Sequence, residues 1–247
     1  MKAIIISAGQ GTRLLPLTLK IPKCLVEVHG RTILDHQIAA LRGAGIERIV
    51  VVGGYRANQI AEHLAGSGQS SDVELVCNPF WSVASSIGSV WAAQAILQGP
   101  FCLLNGDTIF DASVIREALH EMRPGVNLLV EPMVESEHDD MRVQVEQQRV
   151  LAVGKDLPAA RSTHRSLGVV LCPDADGGPY RDALAAVITA PQGHNAYHHA
   201  VIDRLAGSST VSAIENHSGL WCEIDRPEDI EQWVHDHAGQ PMRRKRG

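Results

Sequence analysis

Short apolar runs alternate with segments of helical spacing through the first half of the chain. Residues 3–6, 49–52, 73–76 and 101–104 are aliphatic or β-branched runs bounded by glycine or polar turns, and they predict buried strands. Between them, residues 32–41 put Ile33, Leu34, Ile38 and Leu41 on one helical face, and residues 57–64 and 87–97 predict two more helices. Gly43 and Gly45 stop the first helix, and Gly53-Gly54 punctuates the second strand. Strands alternating with helices require crossover connections and a mostly parallel sheet covered on both faces. Ligands of such sheets bind beyond the carboxyl ends of the strands. The glycine loop after Ile6 and the Asn105-Gly106-Asp107 turn after Leu104 are therefore expected at one edge.

The second half is less regular. Residues 127–130, 142–145, 150–153, 167–171, 210–214 and 221–224 predict short strands, with 142–145 and 150–153 forming an antiparallel ribbon. Residues 183–188 and 196–205 predict helices, and Pro227 opens an acidic one. No repeat or long linker divides the chain. The expected organisation is one α/β domain over residues 1–238, with halves meeting near residue 125. A frayed basic tail follows at 239–247.

Composition removes several classes. With 247 residues and 45% hydrophobic content the chain can bury a sizeable core. Its net charge of -6 argues against a nucleic-acid binder. No apolar run reaches membrane-spanning length, and the start is too short for a signal peptide. Five scattered cysteines without a C-x-x-C pair indicate neither a zinc site nor a disulfide framework, and reduced thiols in a cytoplasm are expected. The twelve histidines lack metal-ligand spacing and are expected at the surface or in hydrogen bonds. The charge is uneven: residues 1–23 carry +4 and no acid, the cluster at 243–246 carries +4, and the remainder carries -14.

The acid-free segment holds the strongest chemical signal, S-A-G-Q-G-T-R-L-L-P-L-T-L-K-I-P-K from Ser7 to Lys23. Gly9 and Gly11 directly after a strand permit positive φ and close approach of backbone N–H groups to an anion. Ser7, Ala8, Gly9, Gly11 and Thr12 are the expected phosphate-facing residues. Arg13 can bind phosphate through two donors, and Lys23 adds a compact charge. Pro16 and Pro22 stiffen the intervening chain. A dinucleotide fingerprint fails because Leu14 occupies the third glycine place, and no Walker loop is present.

The pattern G-x-G-T-R-x-x-P-x-T-x-x-x-P-K resembles the nucleotidyltransferase (pyrophosphorylase) superfamily. Asn78-Pro79-Phe80-Trp81, Asp140-Met141-Arg142-Val143, Gly154-Lys155-Asp156-Leu157-Pro158 and Ser166-Leu167-Gly168 are similar to its phosphocholine cytidylyltransferase-like branch. The resemblance implies a Rossmann-like, mixed and mostly parallel sheet flanked by helices, with a smaller acceptor-binding lobe. It implies transfer from a nucleoside triphosphate, CTP favoured, to a phosphorylated or phosphonate acceptor, with pyrophosphate released. Asp107 and Asp225 look like the metal-binding aspartates, and their hard oxygens suit Mg²⁺. Each also has a plainer reading: Asp107 as a turn residue and Asp225 as a cap of the helix at Pro227. Asp229 is then expected as a cap or surface residue.

Arg13 and Lys23 are expected to neutralise phosphates during transfer. Asn78, Ser85 and Ser86 are expected near base or ribose, although the serines can equally cap the following helix. Arg142, Lys155 and Tyr197 are expected at the acceptor, with solvated charge as the alternative for Arg142. Arg165 stands where the branch has an acid, so His164 and Arg165 suit a more anionic or hydroxylated acceptor than choline. A sugar-1-phosphate nucleotidyltransferase using UTP or another NTP, and a non-catalytic nucleotide sensor, remain as alternatives. A homodimer is open, because no interface is legible.

Overall fold

The computed structural model describes residues 1–68, 72–133, 139–175, 177–208 and 211–237. The basic tail at 239–247, and Thr210 at the start of the expected late strand, lie outside the described residues. The first half comprises β1 (Lys2–Ser7), the short β2 (Glu27–Val28) and β3 (Arg31–Thr32), α1 (Ile33–Gly43), β4 (Arg48–Gly53) and α2 (Ala57–Gly66). It continues with β5 (Val73–Cys77), α3 (Ser86–Ala92), β6 (Phe101–Asn105), β7 (Thr108–Phe110) and α4 (Ala112–Glu121). The second half comprises β8 (Val126–Pro132), β9 (Arg142–Glu146), β10 (Arg149–Gly154), β11 (His164–Cys172), α5 (Gly178–Ile188), α6 (His199–Ser208), β12 (Val211–Glu215), β13 (Trp221–Glu223) and α7 (Pro227–His237).

Among the described residues, one sheet of order β5-β4-β1-β6-β11-β8-β12-β10-β9 crosses both halves. Pairing is parallel across β5-β4-β1-β6 and between β8 and β12. It is antiparallel where β11 joins β6 and β8, and through β12-β10-β9. The α/β sheet is thus mixed, with its longest parallel stretch in the half that carries the glycine loop.

Why β1 reads as an unbroken apolar run follows from its packing. Ile4 and Ile6 enter one core, with Val50, Val52 and Leu103, while Ala3 and Ile5 enter the other, with Ile49, Val51 and Leu104. Both faces are covered, so no position needs to be polar. A third, smaller cluster joins Leu14, Val26, Val28, Ile33, Ile109, Ile224 and Trp233.

Several elements differ from the sequence reading. α4 lies where no element was expected; Val114, Ile115 and Ala118 form its narrow buried face. The helix expected over 87–97 ends at Ala92, and a 3-10 turn follows over Gln94–Leu97. α5 begins five residues early because Pro179 sits in its first turn and Tyr180 is fully buried, its ring 5.3 Å from Phe101. α6 begins at His199 rather than 196.

Candidate active site

Close packing at the sheet edge holds the first loop against its own lysine. Gly11 has φ +72°, and a Cβ there would stand 2.8 Å from Lys23 Cβ. Only glycine allows Lys23 to lie so near the turn. Thr18 Oγ1 donates to the Gly11 carbonyl at 2.8 Å and closes the loop. Leu14, beside Arg13, is fully buried in the third cluster with Val26, three residues beyond Lys23. Apolar anchors thereby fix the backbone on which both cations are mounted.

The carboxylates are positioned from the same cluster. Ile109 follows Asp107 by two residues, and Ile224 precedes Asp225. β7 and β13 pair antiparallel, with Thr108 opposite Glu223, and the Ile224 N–H donates to the Asp107 carbonyl at 2.9 Å. Gln37, buried in α1, donates to the Asn105 and Thr108 carbonyls at 2.7 and 2.8 Å, fixing the intervening turn. A Cβ on Gly106 would collide with Ser7 Oγ and the Ile6 carbonyl, so this turn lies directly on the end of β1. The Asp229 carboxylate accepts from the Asp225 and Arg226 N–H groups, both at 2.7 Å. That capping contact orients the start of α7 and leaves the Asp225 side chain for the cleft.

Lys23 Nζ lies 2.8 Å from Asp107 Oδ2 and also pairs with Asp225 Oδ1. Arg13 Nη2 reaches Asp225 Oδ2 at 2.8 Å, and Arg13 Nη1 pairs with Asp139. Lys155 Nζ takes the other Asp139 oxygen at 2.6 Å and lies 4.9 Å from the Tyr197 ring centroid. The first loop, the ends of β6 and β13, and the segments around Asp139 and Lys155 form one chain of alternating charge. Burial alone would lower the Lys23 pKa, but Asp107 and Asp225 outweigh it and hold the ammonium above its usual range. Burial pushes the Asp107 carboxyl up, and the charge of Lys23, its hydrogen bond and further contacts bring the group below its usual range. Glu223 is pushed up to about 8, first by burial and then by Asp107 and Asp225.

Two adjoining cavities, of about 300 and 330 Å³, share Arg13, Asp107 and Asp225. Ser7, Gly9, Gly11, Thr12 and Lys23 line the second; Ala8, Ser85, Ser86, Lys155 and Tyr197 line the first. Ser85 stands at the N-cap of α3 without a side-chain capping bond, and Ser86 Oγ accepts from the His198 N–H at 2.9 Å.

Three expectations need correction. Asn78 is buried and structural: its Nδ2 donates to Ser89 Oγ at 3.2 Å and its Oδ1 accepts from the Phe80 N–H at 2.9 Å. Arg142 does not line the cleft, and its Nη1 donates to the Leu157 carbonyl at 3.0 Å. Arg165 is committed to Glu131 at 2.5 Å and Asp140 at 3.4 Å, over the Trp221 ring, while His164 meets Glu215 at 3.2 Å. The Arg165 charge is compensated by two carboxylates, and neither His164 nor Arg165 lines the two cavities described above. Sequence reasoning also missed Asp139, Glu223, His198 and His199, all of which line the first cavity. Yet each adjoins a residue that the sequence had marked: Glu223 lies two before Asp225, Asp139 directly precedes Asp140-Met141-Arg142-Val143, and His198 and His199 follow Tyr197.

The donor set fits a hard divalent cation. Asp107 Oδ1 is sealed from solvent without a hydrogen-bond partner, and Lys23 links Asp107 to a second carboxylate, Asp225, just beyond β13. Among the described residues no group of three His, Cys, Asp or Glu side chains is arranged to hold a metal. A two-carboxylate site suits Mg²⁺, whose remaining ligands are commonly phosphate oxygens and water.

Comparison with known proteins shows relatives over most of the chain. The chain is 28% identical over 242 residues to CMP-5'-(3-aminopropyl)phosphonate synthase of Streptomyces rubellomurinus, covering 94% of this chain and 38% of that protein. It is 50% identical over 64 residues to CTP:phosphoglutamine cytidylyltransferase of Campylobacter jejuni, covering 26% of this chain and 25% of that one. The chain thus spans well under half the length of these relatives. Its fold matches CTP:phosphocholine cytidylyltransferase from Streptococcus pneumoniae with a TM-score of 0.77 at 20% identity, over 95% and 98% of the two chains. No helix among the described residues is long and apolar enough to cross a membrane. Residues 3–140, which include the glycine loop, Lys23 and Asp107, match the family model described as the MobA-like NTP transferase domain, and the chain belongs to that nucleotidyltransferase family.

Proposed function

We propose that the chain is a Mg²⁺-dependent cytidylyltransferase that transfers CMP from CTP to a phosphorylated or phosphonate acceptor and releases pyrophosphate. The carrying observation is the convergence of Lys23, Arg13, Asp107 and Asp225 at the junction of two cavities. The relatives named for CMP and CTP chemistry support the nucleotide, and their phosphonate and phosphate acceptors support the acceptor class.

An acceptor oxygen attacks the α-phosphorus, and the bond to the β-phosphate oxygen breaks. The nucleophile is already ionised, so the site must align two anions and neutralise charge more than remove a proton. The glycine loop offers backbone N–H groups to the triphosphate. Lys23 neutralises the α-phosphate, and Arg13, on the rim, holds the leaving pyrophosphate. Phosphate oxygens replace the carboxylates that these cations contact in the free protein. Ala8, Ser85 and Ser86 border the nucleoside, while Lys155 and Tyr197 border the acceptor. Asp107 and Asp225 would hold Mg²⁺, which would supply further positive charge to the phosphates.

A matrix of nucleoside triphosphates against phosphonates, phosphocholine, polyol phosphates and sugar 1-phosphates, read by pyrophosphate release with and without Mg²⁺, tests this reading. CTP with a phosphonate or phosphate ester is the expected pair. Preference for UTP with a sugar 1-phosphate would replace the cytidylyl assignment. Mg²⁺-dependent CTP binding without turnover of any pair would indicate a nucleotide sensor.

A further inference from the structure

The cleft wall contains a buried histidine whose proton position is set by its neighbours. Ser166 is buried, and its Oγ accepts from the Gly168 N–H at 3.0 Å. The same Oγ lies 3.0 Å from His199 Nε2. The hydroxyl proton has no other acceptor among the described residues, so it is satisfied by donation to Nε2. A neutral imidazole accepting at Nε2 carries its proton on Nδ1. Burial, followed by His198 and Lys155, holds the His199 pKa well below its usual value, so the ring stays neutral.

His199 is 4% exposed, lines the first cavity and is the first residue of the ten-residue α6. Its Nδ1 has no hydrogen-bond partner among the described residues. The neighbouring His198 is different: its Nε2 meets Asn105 Oδ1 at 2.8 Å, and its Nδ1 is sealed from solvent. His198 supports the wall, whereas His199 retains one donor. Lys155, paired with Asp139 in the free protein, lines the same cavity and supplies only donors. A group that accepts from the His199 N–H and takes the place of Asp139 on the Lys155 ammonium must both accept hydrogen bonds and carry negative charge, as an oxyanion does. Arg13 and Lys23 already serve the triphosphate side, which leaves this oxyanion to the acceptor.

We infer that the acceptor's phosphate or phosphonate binds in the first cavity against the His199 side chain, accepting a hydrogen bond from His199 Nδ1–H beside the Lys155 ammonium. This assignment deepens the transferase reading and rests on it. It also gives Ser166 a role as a positioning residue acting through the tautomer of His199.

The test uses the full chain with ¹⁵N-labelled histidine, titrated separately with methylphosphonate and pyrophosphate. The expected spectrum shows His199 as the Nδ1–H tautomer, with that signal moving on addition of methylphosphonate and not of pyrophosphate. His199→Phe, checked for folding by thermal unfolding, weakens methylphosphonate binding by roughly 10–100-fold, the loss of one hydrogen bond to a charged group. In turnover, KM for the acceptor rises by more than KM for the nucleotide. If His199→Phe does not fold, Ser166→Ala provides the second reading: it keeps the ring, loses the fixed tautomer and weakens methylphosphonate binding. An Nε2–H tautomer, a signal that follows pyrophosphate instead, or unchanged methylphosphonate binding in the folded variants overturns the assignment. Absence of pyrophosphate release with every substrate pair would overturn the transferase reading separately, since the histidine signals do not depend on turnover.

Discussion

Lys23 and Asp107 are 84 positions apart in the chain, yet Lys23 Nζ lies 2.8 Å from Asp107 Oδ2. The ammonium also meets Asp225, so one cation holds together carboxylates from the ends of two different strands. Lys23→Ala should lower kcat/KM for pyrophosphate release by about 100–1000-fold, corresponding to roughly 2.7–4 kcal/mol of lost charge stabilisation. Without the ammonium, Asp107 loses its ion-pair partner and Asp225 keeps only Arg13. The metal-free variant should therefore melt below the wild type, with Mg²⁺ restoring part of the difference. Near-wild-type turnover would remove Lys23 from the mechanism.

Asp107 has one oxygen on Lys23 and one sealed without a partner. Asp107→Asn keeps the shape but removes the charge that attracts a hard cation. Activity should be lost at Mg²⁺ concentrations that saturate the wild type, and the half-saturating concentration should rise by at least about tenfold. Titration of activity with Mg²⁺ checks this, and chelation should abolish wild-type turnover.

Gly11 combines positive φ with immediate contact to Lys23. Gly11→Ala should cost about 1–3 kcal/mol of stability through backbone strain, and should displace Lys23 enough to reduce turnover. Gly66→Ala, in the last turn of α2 with open space around its Cα, is the control and should keep both stability and activity. Chemical denaturation and pyrophosphate release, measured on both variants, separate the local effect from a general sensitivity to alanine.

Glu223 gives a pH signature. Burial, then Asp107 and Asp225, raise its pKa from 4.5 to about 8 in the folded protein. The folded chain therefore binds a proton more tightly than the unfolded chain. The associated stability is fully present below about 4.5 and is lost as pH rises toward 8. Glu223→Gln cannot ionise and escapes this loss. In the metal-free protein, the melting temperature of the variant relative to wild type should climb between pH 5 and 8. A constant offset across that range would contradict the assigned environment.

Much of the frame was legible before any tertiary contact was known. Residues 3–6, 49–52 and 101–104 could be read as buried strands because a sheet covered on both faces demands unbroken apolar runs. The cationic loop was legible too, since its glycines, prolines and cations lie within one short segment. α4 was missed because its three buried residues give a narrow stripe.

What the sequence determined by itself was the supply of local chemistry: a glycine turn after a strand, Arg13 and Lys23 on stiffened backbone, and aspartates at strand ends. Only the tertiary structure decided which charges meet. Pairing of β7 with β13 brings Asp225 beside Asp107 and adds Glu223, two residues before it in the chain. Packing turned Arg142 to the Leu157 carbonyl and Arg165 to Glu131. It placed Asp139 between Arg13 and Lys155, and left His199 with one donor facing the cleft. Side-chain type is carried by each residue alone, whereas compensation of a buried charge depends on neighbours that the fold brings from distant parts of the chain.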